Sequence, residues 1–304
     1  MTRVAAIDCG TNSIRLLIAD TAGDALTDVV RAMEIVRLGQ GVDRTGRLAP
    51  EAIERTRVAL AQYAAQISDR GVDRIRMVAT SATRDAANRA DFHDMVVATL
   101  GVEPEVISGQ QEAALSFTGA LAGRAGGMVP PYLVVDIGGG STELVLGESD
   151  VRAAESMDVG CVRLTERHLR DDPPTADQIT AAVADIVSAV DRARETVPVK
   201  EARTFVGLAG SVTTVAAIAL GLEKYDSARI HHSRIPADQV RAVSARLLRM
   251  TRAERAALPV MHPGRVDVIG AGALVLRVLV DMVDVEEIVV SEHDILDGIA
   301  LSIR

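Results

Sequence analysis

One strand–loop–strand pattern occurs twice in this chain, and it constrains the fold more than any other feature of the sequence. The first copy reads VAAIDCGTNSIRLLIAD over Val4–Asp20, and the second reads YLVVDIGGGSTELVLGE over Tyr132–Glu148. At a constant offset, the copies share an aspartate at the end of the first apolar run, then a glycine, a serine and a leucine. A pattern present once in each half predicts a duplicated α/β domain, with the two copies facing each other across a cleft.

The rest of each half is predicted to alternate strands and helices. The first half is predicted as a βββαβαβα unit, with helices from Pro50, over Asp91–Leu100 and over Ser108–Leu121, and with later strands at Arg74–Ala79 and Glu105–Ile107. The second half is predicted to add strands at Ala153–Val159, Thr204–Leu208 and Glu287–Val290, and helices over Thr175–Glu195, after Ser211, Pro236, Thr251 and Gly264, and up to Ile303. Capping boxes support the helices that follow Thr175 and Thr251.

Composition excludes several classes of function. The 304 residues are enough for two domains, and the Gly/Pro-rich segment Arg124–Pro131 is the predicted boundary between residues 1–124 and 125–294. A formal net charge of −9 disfavours general nucleic-acid binding, and apolar runs broken by charges predict neither a secretory signal nor a membrane span. Cys9 and Cys161 are expected to be free thiols, so we predict a cytoplasmic protein.

The repeated turns contain the residue types that bind phosphate. Glycine lets backbone N–H groups approach a ligand closely, and successive N–H groups form an anion-binding nest. Thr11, Ser13, Ser141 and Thr142 add hydroxyl donors. An ordinary hairpin turn would explain either loop alone, but two loops at the same position in a duplicated unit favour a phosphate site.

Charged residues flank both turns. Asp8 and Asp136 end the first strand of each copy, where a carboxylate can hold a hydrated Mg²⁺ beside phosphate oxygens. Two residues after the serine, the first copy has Arg15 and the second has Glu143. Glu143 is predicted to share the metal with Asp136. Arg15 is predicted to contact substrate phosphate or carboxylates, with a structural salt bridge as the alternative.

Three further segments contain candidate residues. Gly210 and Ser211 stand in a strand-to-helix turn, whose N–H groups either bind an anion or simply begin a helix. A predicted capping box at Ser108–Gln111 places Glu112 in the first helical turn, where it is either a general base or a partner of the helix dipole. Arg84 follows a buried strand and either grips a phosphoryl group or forms an ordinary salt bridge.

Eight segments in a fixed order resemble the exopolyphosphatase/guanosine pentaphosphate phosphatase family, within the actin, sugar-kinase and heat-shock chaperone superfamily. They are DCGTNSIRLL, ATSATRDAAN, VISGQQEA, VVDIGGGSTEL, MDVGCVRLTER, GLAGSVTT, RVDVIGAGALVL and VSEHDILDGI. The resemblance covers essentially the whole chain. It implies two ribonuclease-H-like domains of the actin type that flank a cleft, with the last helix, 295–304, packed on the first domain.

The resemblance also implies a role for each candidate residue. Glu112 is expected to activate the attacking water, Arg84 to hold the terminal phosphoryl group, and Cys161 either to line the active site or to fill the core. The expected ligands of Mg²⁺ or another divalent cation are Asp136, Glu143 and Asp8. The expected phosphate ligands are Gly10, Thr11, Asn12, Ser13, Arg15, Gly138, Gly139, Gly140, Ser141, Thr142, Gly210 and Ser211.

The family hydrolyses phosphoanhydrides, so the resemblance implies release of the terminal phosphate from linear inorganic polyphosphate. Guanosine pentaphosphate is the alternative substrate, although three Tyr, three Phe and no Trp leave few side chains to stack on its base. A superfamily kinase and a non-catalytic phosphate sensor are remoter alternatives. Gln110 and Gln111 replace an acidic residue that the family often has before Glu112, and the added helical module of long members is expected to be missing. A homodimer is expected, since homodimers are common in the family.

Overall fold

The chain folds as two α/β units. A computed structural model describes residues 2–23, 25–123 and 127–303. Contacts within the chain divide it into unit 1, Met1–Arg124 with His293–Arg304, and unit 2, Ala125–Glu292. Residues 124–126, where the predicted boundary segment begins, lie outside the described residues. The predicted domain limits, 1–124 together with 295–304 and then 125–294, stay a prediction.

The elements up to residue 123 follow the predicted order, with two short helices added. The strands are β1 (Thr2–Cys9), β2 (Ser13–Ala22), β3 (Ala25–Ile35), β4 (Arg74–Ala79) and β5 (Glu105–Val106). The helices are α1 (Val42–Thr45), α2 (Pro50–Asp69), α3 (Ser81–Asp85), α4 (Arg89–Leu100) and α5 (Gly109–Leu121). The sequence does not predict α1 and α3, because a single helical turn shows no apolar periodicity.

The sheet of unit 1 has the order β3-β2-β1-β4-β5. Strands β1, β2 and β3 are antiparallel neighbours, whereas β4 and β5 continue the sheet in parallel with β1. Ala5 and Ile7 pack into a core with Leu60 of α2, and the alternate residues Val4 and Ala6 pack into a second core on the opposite face. Because both faces are covered, β1 is an uninterrupted apolar run in the sequence.

Unit 2 contains six strands and seven α-helices among its described residues. The strands are β6 (Tyr132–Ile137), β7 (Thr142–Gly147), β8 (Val151–Met157), β9 (Thr204–Leu208), β10 (Arg234–Pro236) and β11 (Glu287–Val290). The helices are α6 (Cys161–Arg167), α7 (Ala176–Thr196), α8 (Ala209–Ala219), α9 (Ser227–Ile230), α10 (Ala237–Arg249), α11 (Arg252–Ala256) and α12 (Ile269–Val283). The predicted capping boxes at Thr175 and Thr251 are both present. A final helix, α13 (Ile295–Ser302), belongs to unit 1.

The duplication predicted from the repeated motif is confirmed by the strand order. The sheet of unit 2 runs β8-β7-β6-β9-β11, with β6, β7 and β8 antiparallel and with β9 and β11 parallel to β6. This matches unit 1 strand for strand, and the short β10 adds one antiparallel edge. The duplicated α/β fold class is therefore confirmed. The presence of a cleft between the domains stays a prediction.

Two helix boundaries of unit 2 differ from the predicted ones. Helix α8 begins at Ala209, so Ser211 lies in its first turn and does not precede it. Helix α12 begins at Ile269, because the chain after Gly264 first completes a 3₁₀ turn over Pro263–Arg265. Among the described residues, no helix combines the length and apolarity that crossing a bilayer requires.

Helices α5 and α13 cross in close contact through two glycines. A Cβ atom at Gly298 would lie 2.0 Å from the carbonyl oxygen of Leu115, and a Cβ at Gly119 would lie 1.7 Å from that of Asp294. Both obstacles are backbone atoms, which cannot rotate away as a side chain can. Glycine is therefore required at each position for the two helices to approach this closely.

We expect Gly298→Ala to lower the free energy of unfolding by about 1–3 kcal/mol, because its methyl group forces α13 away from α5. Gly270→Ala is the matched control, since the nearest atom to its new Cβ lies at an ordinary 3.5 Å. Alanine also has the higher helix propensity, so the control should be neutral or mildly stabilising. Urea denaturation measures both variants, and equal stability of Gly298→Ala and the native protein would contradict the close crossing.

Candidate active site

The glycine turns of the two units share one backbone geometry. The Gly10 N–H donates to the Ser13 carbonyl at 2.9 Å, and the Gly138 N–H donates to the Ser141 carbonyl at 3.0 Å. Within the described part of the chain, the N–H groups of the two residues inside each turn donate to no protein acceptor. These residues are Thr11 and Asn12 in unit 1 and Gly139 and Gly140 in unit 2. Each turn therefore presents two adjacent N–H groups that an anion can use.

The turn of unit 1 is fixed by the segment that follows β3. The Thr11 carbonyl accepts a hydrogen bond from the Gly39 N–H at 2.8 Å, and the Asn12 carbonyl accepts one from the Arg37 N–H at 2.9 Å. The Thr11 and Ser81 hydroxyls are 2.8 Å apart and hydrogen-bonded. The predicted hydroxyl donor Thr11 is thus held by α3, a contact that the sequence gives no signal for.

The turn of unit 2 is fixed by the start of α6. The Cys161 N–H donates to the Gly138 carbonyl at 3.0 Å, and the Val162 N–H donates to the Gly139 carbonyl at 2.8 Å. Gly160 precedes them in such close contact that an added Cβ would lie 2.5 Å from the Gly139 oxygen. The carbonyls of the turn thus accept hydrogen bonds from the first N–H groups of α6, which would otherwise have no acceptor.

Thr142 and Arg163 also contact this turn. The Thr142 hydroxyl is fully buried and donates to the Val159 carbonyl at 2.7 Å, so its proton is not available to a ligand. The Arg163 Nε donates to the Gly140 carbonyl at 2.6 Å. A phosphate role for Thr142 would therefore rest on its backbone, and Arg163 is a supporting residue that sequence reasoning missed.

Strand register brings Asp136 and Glu143 together. The two residues are directly opposite each other in the antiparallel pair β6–β7, and both are buried. Opposed side chains lie on one face of a sheet with their Cβ atoms about 4.5–5.5 Å apart. The Ser156 hydroxyl donates to Glu143 Oε1 at 2.8 Å, which orients that carboxylate. Ser156 comes from the third strand and is a second residue that the sequence did not reveal.

In unit 1, the same register places Asp8 opposite Arg15. The Arg15 guanidinium donates to Asp8 Oδ2 from Nε at 2.9 Å and from Nη2 at 2.6 Å, and Nη1 donates to Asp294 Oδ2. The structural salt bridge left open for Arg15 is therefore present. Asp294 lies in the VSEHDILDGI segment, and sequence reasoning assigned no role to it.

The two carboxylates that share Arg15 differ in acidity. Burial raises the pKa of Asp8 above its ordinary value, although the charge and the hydrogen bonds of Arg15 act in the opposite direction. Burial also disfavours the charged form of Asp294. Arg15 and the Leu296 N–H outweigh it and hold the pKa of Asp294 below its ordinary value.

The carboxylates of Asp8, Asp136 and Glu143 are chemically suitable ligands for a divalent cation. Asp8 Oδ1 is buried and has no hydrogen-bond partner among the residues that the structure describes, so one acceptor oxygen is left for a ligand. Asp136 and Glu143 are paired acceptors in the other unit. Among the described residues, no group of three or more His, Cys, Asp or Glu side chains is arranged to hold a metal by itself. Mg²⁺ commonly binds through one or two carboxylates and completes its coordination with water and substrate phosphates.

The two predicted catalytic residues are in contact. Glu112 follows the capping box formed by Ser108 and Gln111 and is the fourth residue of α5. Arg84 Nη1 donates to Glu112 Oε2 at 3.1 Å and to the Ile107 carbonyl at 3.0 Å. In the described residues, the side-chain hydrogen bonds of Arg84 involve Nη1 alone, which leaves Nε and Nη2 for a phosphoryl group. Arg84 thus places a positive charge beside the Glu112 carboxylate.

The third glycine-containing turn begins α8. Ala209 has a φ of 65°, which bends the chain sharply into the helix, and the Arg265 guanidinium covers Gly210 so closely that a Cβ would lie 2.4 Å from its central carbon. Burial raises the pKa of the Cys161 thiol, and Ser211 acts in the opposite direction. A Cβ at Gly272 would lie 2.1 Å from the Ser211 hydroxyl oxygen, so α12 also packs against this turn. Cys161 is thus buried between α6, α8 and α12.

Comparisons with known proteins agree on one family. A family model described as the Ppx/GppA phosphatase family matches residues 17–304. The chain is 54% identical over its full length to 99% of "Exopolyphosphatase 2" of Mycobacterium tuberculosis. It is 29% identical over 97% of its length to a guanosine-5'-triphosphate,3'-diphosphate pyrophosphatase of Aeromonas salmonicida, of which it spans 58%.

Solved structures show the same relationship. An exopolyphosphatase-like protein superposes with a TM-score of 0.96 at 47% identity, covering 99% of this chain and 98% of the other. The Ppx-GppA enzyme of Aquifex aeolicus superposes with a TM-score of 0.82 at 31% identity and 99% coverage of both chains. An exopolyphosphatase of Cytophaga hutchinsonii gives a TM-score of 0.88 at 25% identity, covering 98% of this chain and 96% of the other.

We expect neither cysteine to react with a thiol reagent in the folded protein at pH 8. Burial raises the pKa of both Cys9 and Cys161, and for Cys161 it outweighs the opposite effects of Ser211 and Arg265. A raised pKa keeps the sulfur in the thiol form as pH rises through the ordinary value, whereas the thiolate is the reactive form. Labelling followed by mass spectrometry should give no adduct in buffer and two in denaturant. Rapid labelling of Cys161 in buffer would show that it is not enclosed.

Proposed function

The chain belongs to the Ppx/GppA phosphatase family, and from its site residues we propose that it is an exopolyphosphatase, a phosphoanhydride hydrolase that removes the terminal phosphate of linear inorganic polyphosphate. The observation that carries the proposal is the contact between Arg84 and Glu112 at the start of α5. It joins a cation that can grip a phosphoryl group to a carboxylate that can accept a proton. Full-length similarity to a protein named exopolyphosphatase supports the same substrate.

The proposed reaction is attack by water on the terminal phosphorus. Glu112 takes a proton from the water as the new P–O bond forms, and the bridging P–O bond breaks. The leaving oxygen stays on a chain that is one phosphate shorter. Arg84 and the N–H groups of the glycine turns stabilise the charge that develops on the phosphoryl oxygens, which is the main need of phosphoryl transfer.

Asp136, Glu143 and Asp8 are the residues that we propose to hold Mg²⁺ or another divalent cation. When bound, such an ion neutralises phosphate charge and orients the substrate. Gly10, Asn12, Ser13 and Ser141 would contact phosphate through backbone or hydroxyl groups, together with the turn at Gly210 and Ser211. Cys161 would line the site only as a neutral thiol. A cytoplasmic location and a homodimeric state stay predictions.

The glycine turns alone do not distinguish a hydrolase from a kinase or a phosphate sensor. A superfamily kinase would place its base beside a hydroxyl acceptor, and a sensor would not need the Arg84–Glu112 pair. Guanosine pentaphosphate is the second candidate substrate, because relatives named for its hydrolysis align with nearly the whole chain. The aligned part is little more than half of those relatives.

We expect short and long polyphosphate to be hydrolysed faster than guanosine pentaphosphate, and ATP to be the poorest substrate. The comparison uses equal substrate concentrations, with Mg²⁺ and with a chelator, and measures orthophosphate release without any acceptor. Chelation should abolish release. Faster turnover of guanosine pentaphosphate would assign the second substrate, and phosphate transfer that depends on an added acceptor would indicate a kinase.

Replacing Glu112 by Gln should lower kcat by about 10²–10⁴-fold, since an amide cannot accept the proton from water. The shape of the side chain is retained, so the fold and the KM for polyphosphate should change little. Glu105→Gln is the control, because Glu105 is an exposed residue of the same unit that pairs with Arg76 on the surface. Full turnover by Glu112→Gln would remove the proposed base.

A further inference from the structure

The Arg15 side chain lies between two buried carboxylates of unit 1. Asp8 accepts hydrogen bonds from Nε and Nη2, and Asp294 accepts one from Nη1. Asp8 is 4% exposed and Asp294 is 5% exposed, so water screens these charges weakly. One cation between two anions leaves the cluster with a formal charge of −1.

The two oxygens of Asp8 have different environments. Both Arg15 bonds reach Oδ2, at 2.9 and 2.6 Å, whereas Oδ1 is buried and accepts no hydrogen bond from the described residues. Burying a carboxylate oxygen without a hydrogen-bond partner destabilises the folded protein unless a ligand supplies the missing contact. Arg15 therefore orients Asp8 and leaves one oxygen available.

Asp294 is held independently of Arg15. Its Oδ1 caps α13 by accepting from the Leu296 N–H at 3.0 Å, and its own N–H donates to Asp297 Oδ2 at 3.0 Å. Its carbonyl lies against Gly119 of α5, where no Cβ could fit. The second anion is thus anchored by the backbone of α13, and Arg15 is held from both sides.

We infer that Asp294 is a positioning residue for the reaction, which acts through Arg15 on Asp8 and keeps the Asp8 site attractive to a divalent cation. The inference rests on the proposed function only for its effect on turnover. Without the charge of Asp294, Arg15 and Asp8 form a neutral pair, which offers no net negative charge to a cation at Asp8 Oδ1. With Asp294 present, the cluster keeps one negative charge for the cation.

Comparison with the second copy of the hairpin explains why the first copy needs Asp294. There the opposed pair is Asp136 and Glu143, two anions, whereas the first copy has Asp8 opposite Arg15. An arginine at this position would leave the first copy without net negative charge. Asp294, supplied by α13, restores it.

The test is Mn²⁺ binding by the free protein, measured by calorimetry and electron paramagnetic resonance without substrate. Asp294→Ser retains a good helix cap and removes the charge, and Asp294→Asn also retains an oxygen that can turn towards Arg15. Both variants should bind Mn²⁺ about tenfold more weakly, because both lose the same nearby charge. For polyphosphate, kcat should fall while KM changes less than about twofold.

Arg15 variants give an effect of opposite sign. Arg15→Gln removes the cation that competes with Mn²⁺ for Asp8, so it should strengthen Mn²⁺ binding at a pH where both carboxylates are ionised, although Asp8 loses its orientation and kcat falls. The double variant Arg15→Gln with Asp294→Ser again has a net charge of −1, so its Mn²⁺ affinity should return towards the native value. A purely structural role for Asp294 would instead make the double variant bind at least as weakly as Asp294→Ser.

Asp297→Asn is the control for stability. Asp297 lies on the same helix, is also buried, and its carboxylate pairs with Arg31 whereas that of Asp294 pairs with Arg15. It should lower the melting temperature as Asp294→Ser does, without changing Mn²⁺ binding. Native Mn²⁺ affinity in both Asp294 variants, or no Mn²⁺ binding by the native protein, would overturn the inference. Failure of the native protein to hydrolyse polyphosphate would instead overturn the proposed function, whatever the Mn²⁺ result.

Discussion

The antiparallel register of the first hairpin in each unit decides which side chains meet beside the glycine turn. Asp8 is opposite Arg15 and Asp136 is opposite Glu143, so one duplicated backbone presents an ion pair in one unit and two anions in the other. A slip of one residue would turn these side chains to the other face of the sheet. The register of each hairpin therefore determines which charged side chains lie beside the glycine turn.

The cores explain why that register is fixed. In β1, alternate residues enter separate apolar clusters on the two faces of the sheet, one with α2 and the other with α13. A shift of one residue would exchange the two sets of side chains and disturb two cores at once. The turns are held as firmly, since the carbonyls of Thr11 and Gly139 are bound by backbone N–H groups of neighbouring segments. A rigid frame of this kind positions ligand groups at low entropic cost.

Much of this arrangement could be predicted from the sequence. The repeat gives the duplication, and capping boxes give the starts of three helices. The sequence also singles out Arg84 and Glu112 separately, and the structure shows them in contact. Single-turn helices such as α3 carry no periodic signal, so the contact of Ser81 with Thr11 could not be predicted. Asp294 is 279 residues from Arg15, and only the packing of α13 brings the two together. Local pattern contains no information about such distant pairs.

The position of α13 in the sequence also bears on how the protein is made. Unit 1 is completed by residues that follow all of unit 2, and α13 supplies both Asp294 and the glycine contact with α5. During synthesis, helix α5, which carries Glu112, therefore cannot pack against α13 until unit 2 has been synthesised. A nascent chain stalled before α13 has an uncovered apolar surface where α13 packs on β1, and chaperones can recognise such a surface.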